Sequence, residues 1–215
     1  MNPLRRMTSN DAPALDWPAV FGRVAPIEVD VGFGKGLFLI DRALTTPTVD
    51  VLGFEHRLSL VSKAQGRIEK LRIPNARAMD GEAYNRITVC FAPASVSRFY
   101  VFFPDPWWKR RHHKRRLWTE EFAGLLTDRL VPGGEIFAQT DVLEYAEYVL
   151  ALLDGTPGLR NVEGPGKRTR WVGELPPSPR ERQYLQDGTP YYQMRYQRTT
   201  EAVSRIATSP GEAAL

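Results

Sequence analysis

The residues of this chain best able to do chemistry are carboxylates set directly after strand-like runs, one of them opening a glycine-rich loop. That loop is Asp30-Val-Gly-Phe-Gly-Lys-Gly36, with Gly32, Gly34 and Gly36 at alternate positions. Such glycines let the backbone turn tightly and approach a ligand closely, and the helix predicted to follow turns its free N–H groups toward the same space. The dinucleotide fingerprint needs glycine at its sixth position; here that residue is Leu37, which disfavours a pyrophosphate cofactor. Glu55 follows the next strand-like run, 19 residues after Gly36, where a carboxylate can accept both hydroxyls of a ribose. Asp80 follows a third run and is placed to meet an adenine edge. Singly, these features read as a tight turn and solvated helix starts. Together, at the carboxyl ends of neighbouring strands, they read as a nucleoside site, because ligands of such sheets collect there.

A second constellation lies between Phe102 and Leu117, FFPDPWWKRRHHKRRL. An apolar strand runs into Pro104-Asp105-Pro106, and the two prolines restrict the backbone around Asp105. Trp107 and Trp108 follow, then Lys109 to Arg116, in which six of eight residues are Lys or Arg. A charge run is usually a solvated face. Here it abuts the nucleoside site and carries aromatics, and cations for phosphates beside rings for bases make a nucleic-acid footprint. The tryptophans can equally be core residues. His112 and His113, set among cations, read as RNA-backbone contacts rather than acid–base catalysts.

These residues need a scaffold, and the patterning predicts one. Strand-like runs at Ile27–Val31, Val49–Phe54, Asn75–Met79, Arg98–Phe103 and Glu135–Thr140 alternate with helical patterns at Lys35–Leu44, from Leu58, after Thr119 and at Leu143–Leu153. Alternation of this kind predicts a parallel sheet covered by helices. Thr119 reads as an N-cap with Glu120 and Glu121 in the first turn, and Pro132-Gly133-Gly134 as the stop of that helix. Tyr192, Met194 and Tyr196 alternate with polar residues, as in a half-buried strand. Residues 1–25 read as an irregular N-terminal arm, 26–198 as the domain, and 199–215 as a polar, disordered tail.

Composition narrows the function classes. The 215 residues are 42% hydrophobic and 25% charged, with net charge +4, ordinary globular usage. The longest apolar run, Tyr148–Leu153, is far short of the ~20 residues of a membrane helix, and the N-terminal residues do not read as a secretory signal. The single cysteine, Cys90, excludes an internal disulfide and a multi-thiolate metal site. It reads as a buried small hydrophobe, and cysteine usage points to the reducing cytoplasm. There is no G-x-S-x-G elbow and no P-loop.

The glycine loop resembles the first motif of S-adenosylmethionine-dependent methyltransferases. Combined with FPDPW and the basic run, the sequence resembles the bacterial single-chain tRNA (guanine-7-nitrogen)-methyltransferase family over about residues 26–198. The resemblance implies a Rossmann-like α/β sheet with helices on both faces, S-adenosyl-L-methionine as cofactor, and a guanosine in the tRNA variable loop as target. It places cofactor contacts on the glycine loop (Gly32, Gly34, Gly36) and on Asp30, Glu55, Asp80 and Asp105; because positive charge would move onto the guanine ring, Asp105 is also the catalytic candidate. Substrate contacts fall on Lys109, Arg111, Lys114, Arg115, Arg116, Asp141, Ser178 and Glu181. No metal is implied, and a monomer or homodimer. On the residues alone, Asp141 also reads as an N-cap, and Glu181 as an ion-pair partner of Arg180 or Arg182. The chain departs from the family pattern at Asp30 (usually glutamate), Ser178 (threonine), Pro179 (commonly lysine), Trp108 and His113. Two other readings are a methyltransferase of the same fold acting on another RNA or on protein, and an RNA-binding module without catalysis.

Overall fold

The computed structural model describes residues 14–107, 110–171 and 173–200. The strands are β1 (Ile27–Val31), β2 (Asp50–Glu55), β3 (Ala76–Asp80), β4 (Val96–Phe102), β5 (Leu130–Thr140), β6 (Leu159–Asn161) and β7 (Tyr192–Arg198). The helices are α1 (Trp17–Phe21), α2 (Leu37–Thr45), α3 (Leu58–Lys70), α4 (Ala83–Cys90), α5 (Glu120–Arg129), α6 (Leu143–Asp154) and α7 (Pro179–Asp187), with a 3-10 turn at Arg110–Arg115. The strands form one sheet in the order β3-β2-β1-β4-β5-β7-β6. β1 to β5 are mutually parallel, while β7 runs antiparallel to both β5 and β6. The sheet is therefore mixed: the parallel sheet expected from the alternating pattern holds for β1 to β5, and β7 departs from it. The chain winds outward in both directions from β1 and β4, so a crevice opens between their carboxyl ends.

The period of two along each strand sorts residues between two faces. Val29 and Val31, Phe99 and Val101, Ile136 and Ala138, and Met194 and Tyr196 join the main core with Trp17, Ile87, Phe122 and Tyr145. The interleaved positions face the other side. There Phe38 of α2, Tyr100, Phe137, Trp171 and Leu175 form an aromatic-rich cluster, beside the contact of α2 and α3 with β2. That face also carries polar groups: Glu28 on β1, Arg98 on β4, Glu135 and Gln139 on β5, and Gln193 and Arg195 on β7. Thr119 caps α5 as expected, accepting from the Phe122 N–H at 3.1 Å. Cys90 is buried, and burial pushes its thiol up to about 11.

Several expectations are corrected. Within the presumed irregular arm, residues 17–21 are helical. Asp16 accepts from the Ala19 N–H, and Trp17 is buried, stacked on Phe91 at 5.0 Å. An N-cap aspartate with proline in the first turn was the available signal. Residues 1–13 and 201–215 of the arm and tail lie outside the described residues. β5 begins at Leu130, directly after α5, so Pro132-Gly133-Gly134 lies inside the strand rather than before it; the ladder shifts register there, between Val96 and Arg98 of β4. Helices α4 and α7 and strand β6 had no place in the sequence reading.

Candidate active site

A cleft of about 280 Å³ opens at the carboxyl ends of β1, β2 and β4. Gly32, Glu55, Gly81, Phe103, Asp105 and Trp107 are among its walls. The topological switch point thus gathers the glycine loop, the acid after β2 and the Pro-Asp-Pro segment.

Asp30 ends the inward face of β1 and is only 3% exposed. Its Oδ2 is buried without a hydrogen-bond partner. Burial, and then the charge of Glu55, pushes its carboxyl up to about 8. A Cβ built on Gly32 or Gly34 meets nothing within 4 Å, and both residues have positive φ. Open glycines two and four residues after a buried, unpartnered acid suit a ligand carrying an amino group. Gly36 differs: it is buried, and an added Cβ would lie 2.8 Å from the Ala64 Cβ of α3. This glycine, expected at the cofactor, lets α2 start against α3. The Asp30 shift predicts a pH trend in the free protein. The folded carboxyl titrates near 8 and the unfolded one near 4, so the stabilisation is complete below about pH 4 and lost as pH rises through 8. In between, stability should fall by at most about 1.4 kcal/mol per pH unit from this group. Urea midpoints from pH 5 to 8 should fall less steeply in Asp30→Asn; parallel curves would contradict the assignment.

Glu55 is buried at the end of β2 and braces the loop: its Oε2 accepts from the Gly34 N–H at 3.1 Å. Its Oε1 accepts from the Arg57 N–H at 3.0 Å and from Arg57 Nε at 3.1 Å. Burial pushes this carboxyl up, but the Arg57 bonds and charge, with His56, outweigh it and hold the group below its ordinary value. Glu55 is therefore the ionised acid of the pair and Asp30 the neutral one. Asp80 ends β3 with its carboxylate partly exposed, 3.6 Å from Arg86. The residues after it, Gly81, Glu82 and Ala83, line the cleft, and Glu82 caps α4 by accepting from the Tyr84 and Asn85 N–H groups. This wall was invisible in the sequence because α4 was.

Asp105 is exposed in the cleft mouth. Two of the positive-φ non-glycine residues, Phe103 (φ 52°) and Trp107 (φ 45°), flank its two prolines. Such left-handed residues cost roughly 1–3 kcal/mol each and cluster at functional sites. Trp107 lines the cleft, with the Arg115 guanidinium 5.1 Å over its ring. Arg115 and Arg111 are exposed, and Arg111 Nε donates to His112 at 3.3 Å. Arg116 turns inward: its Nε donates to the Pro106 carbonyl at 3.0 Å, and its guanidinium lies over Tyr145 and Tyr148 of α6. These contacts fasten the basic turn to α6. Lys114 belongs to the same 3-10 turn; Trp108 and Lys109 lie outside the described residues.

Asp141 follows β5 but does not cap α6, whose N-cap is Val142 with no side-chain bond. Instead it accepts a hydrogen bond from the Tyr184 hydroxyl and pairs with Arg180 at 3.7 Å. Both partners come from α7 and were missed. Ser178 and Glu181 form a capping box at the start of α7. Glu181 is 5% exposed and accepts from Gln139, Gln193, Tyr191 and the Ser178 N–H. Neither residue lines the cleft. Ser178→Ala should cost about 1 kcal/mol of stability through the lost cap, measurable as a lower urea midpoint.

The fold is that of a Rossmann-like methyltransferase. A solved methyltransferase from Aquifex aeolicus, described as SAM dependent, has the same fold at TM-score 0.55 and 14% identity, over 84% of this chain and 87% of that one. An rRNA methylase from Streptococcus thermophilus gives 0.54 at 17% identity, over 81% and 87%. Residues 24–192 match the family described as "Putative methyltransferase". At the sequence level the chain is 36% identical to the tRNA (guanine-N(7)-)-methyltransferase of Myxococcus xanthus, over 89% of this chain and 92% of that protein. The same enzyme of Pseudomonas fluorescens strain Pf-5 is 36% identical over 91% and 81%. The chain belongs to the tRNA (guanine-N(7)-)-methyltransferase family.

Proposed function

We propose that this chain transfers a methyl group from S-adenosyl-L-methionine to the 7-nitrogen of a guanosine in the variable loop of tRNA, as a cytoplasmic enzyme. One observation carries the reading: Trp107 and Arg115 of the basic segment line the same cleft as Gly32 and Glu55 of the nucleoside site. RNA gripped by the first pair is thereby presented to a ligand held by the second.

Bound S-adenosylmethionine supplies a sulfonium methyl group open to in-line displacement. Asp30 and the Gly32–Gly34 cradle hold its amino-acid end, Glu55 its ribose hydroxyls, and Asp80 with the Gly81–Ala83 turn its adenine. Guanine's 7-nitrogen has a free lone pair and no proton, so no base is needed and positioning dominates. Asp141, steadied by Tyr184 and Arg180, orients the guanine edge. Asp105 stabilises the positive charge that develops on the ring. Lys109 joins the substrate contacts by resemblance. Glu181 and Ser178 act at one remove, holding Tyr191 and the end of β5. No helix of the described residues is long and apolar enough to cross a membrane, and among them no His, Cys, Asp or Glu cluster could hold a metal.

Nucleoside mass analysis of tRNA incubated with the protein and S-adenosylmethionine tests the activity: 7-methylguanosine should appear, and its absence would overturn it. The basic turn has its own test. Arg115→Ala should flatten the log–log salt dependence of tRNA affinity by about one contact. An unchanged slope would make the turn a solvated face.

A further inference from the structure

A second cationic concavity, of about 300 Å³, lies beside the first strand residues of β7. Its walls include Arg168, Thr169, Arg170, Tyr191, Tyr192 and Gln193. The Thr169 N–H donates to the Gln193 carbonyl at 2.9 Å, which lays the 168–170 segment along the edge of β7. Tyr192 pairs with Thr140, the last residue of β5. The concavity therefore sits on the same rim of the sheet as Asp141.

Its chemistry matches no role assigned above. Arg168 and Arg170 are exposed, and among the described residues neither is in an ion pair. Each guanidinium is backed by a ring instead, Arg168 over Tyr192 at 5.0 Å and Arg170 over Tyr191 at 6.0 Å. Between them Thr169 is 5% exposed, with its Oγ1 buried and without a partner. No carboxylate lines the space. Glu181, which accepts from Tyr191 and Gln193, is buried with four donors already on it. Two pre-oriented, uncompensated guanidinium groups suit an anion bound in fork geometry. An exposed guanidinium over a tyrosine ring offers a surface on which an unstacked base can lie. A run of rings joins this place to the cleft. Phe103 of the cleft wall meets Tyr184 at 5.8 Å, and Tyr184 meets Tyr191 at 6.3 Å.

We propose that the Arg168–Arg170 concavity is a second RNA subsite, taking a phosphodiester and an adjacent unpaired base of the same tRNA whose guanine occupies the cleft. The subsite rests on the reading of tRNA as substrate. Its contribution is to affinity and register, since none of its residues lines the cleft.

The test is Arg168→Gln/Arg170→Gln in the full chain, read by tRNA methylation, by tRNA binding against salt, and by calorimetry with S-adenosylhomocysteine. KM for tRNA should rise at least about tenfold with kcat within twofold. The log–log salt slope should flatten by about two contacts. Thermal stability and S-adenosylhomocysteine affinity should match the parent. Lysines at both positions should keep the slope but restore KM only partly, because they keep the charge and lose the planar fork. A double glutamine variant with parental KM and slope overturns the subsite while leaving the activity intact. A parent that binds tRNA with the predicted variant-sensitive slope yet yields no 7-methylguanosine overturns the activity and supports the subsite. Competition by polyglutamate as effective as by RNA, lost in the variant, would assign the concavity to an acidic protein and overturn the RNA assignment.

Discussion

Asp105→Asn should slow methyl transfer by about 10²–10³-fold, the scale on which a preorganised electrostatic partner is lost, while S-adenosylhomocysteine affinity changes only a few-fold. As the methyl group crosses, positive charge leaves sulfur and spreads over the guanine ring. A carboxylate beside the ring gains interaction energy along that path, so its loss falls on the chemical step rather than on binding. Asparagine keeps the shape and hydrogen-bonding capacity and removes only the charge. The backbone makes this a clean comparison. Asp105 is held between Pro104 and Pro106, with left-handed residues on either side, so the substituted side chain starts from the same place. Asp105 is exposed in the free protein; a substrate that excluded water there would strengthen the charge effect. The measurement is single-turnover methylation at saturating tRNA, paired with calorimetry. A variant within fivefold of the parent rate would remove Asp105 from the chemistry. A loss of cofactor affinity as large as the loss of rate would make it a binding residue only.

The cleft was legible in the sequence because its parts are short and local. A glycine at φ +75° after an apolar run, or an aspartate between two prolines, announces itself without knowledge of the fold. What escaped depends on partners far along the chain. Ser178 and Glu181 stand at the spacing of a capping box, a helix-start signal; read as a substrate motif, or Glu181 as an ion-pair partner, they concealed α7 and with it Tyr184 and Arg180. Asp141 looked like an N-cap because a helix follows it, yet its partners arrive from about 40 residues downstream. Arg116 is indistinguishable from Arg115 by sequence; only α6, with Tyr145 and Tyr148 facing the turn, decides which of them faces inward. The antiparallel β7 has the same alternation as any half-buried strand, and period alone carries no direction. Glu28 gave no signal at all, since a charged residue inside a buried strand has no meaning until its counter-ion is known.

That residue carries the largest expected effect on stability. Glu28 and Arg42 are buried, joined by two hydrogen bonds of 2.7 and 2.8 Å. The Tyr100 hydroxyl donates to the same carboxylate at 2.8 Å. Burial works against the Arg42 cation, but the Glu28 bond and charge outweigh it and hold the guanidinium above its ordinary value. Burial and then the Glu28 charge hold the Tyr100 phenol neutral well beyond its usual range. Arg98, 3.2 Å from Glu135, links this group to Arg195 and Glu174, so the pair anchors a charge-balanced row across β1, β4, β5 and β7. Arg42→Met should therefore destabilise by about 3–5 kcal/mol, because Glu28 is left buried with its bidentate partner gone. Tyr100→Phe should cost only about 1 kcal/mol, one hydrogen bond, since Arg42 still holds the carboxylate. Glu28→Gln/Arg42→Met should recover much of the deficit, a buried pair being far costlier to halve than to remove. Urea midpoints of the parent, Tyr100→Phe, Arg42→Met, Glu28→Gln and the double variant decide it, and additive single and double effects would show that the pair is not coupled. The consequence reaches the cleft, because Glu28 lies two residues before Asp30 on β1 and its bond to Arg42 ties that strand to α2, the helix that starts from the glycine loop. In Arg42→Met, S-adenosylhomocysteine affinity should fall along with stability; in the double variant both should return together.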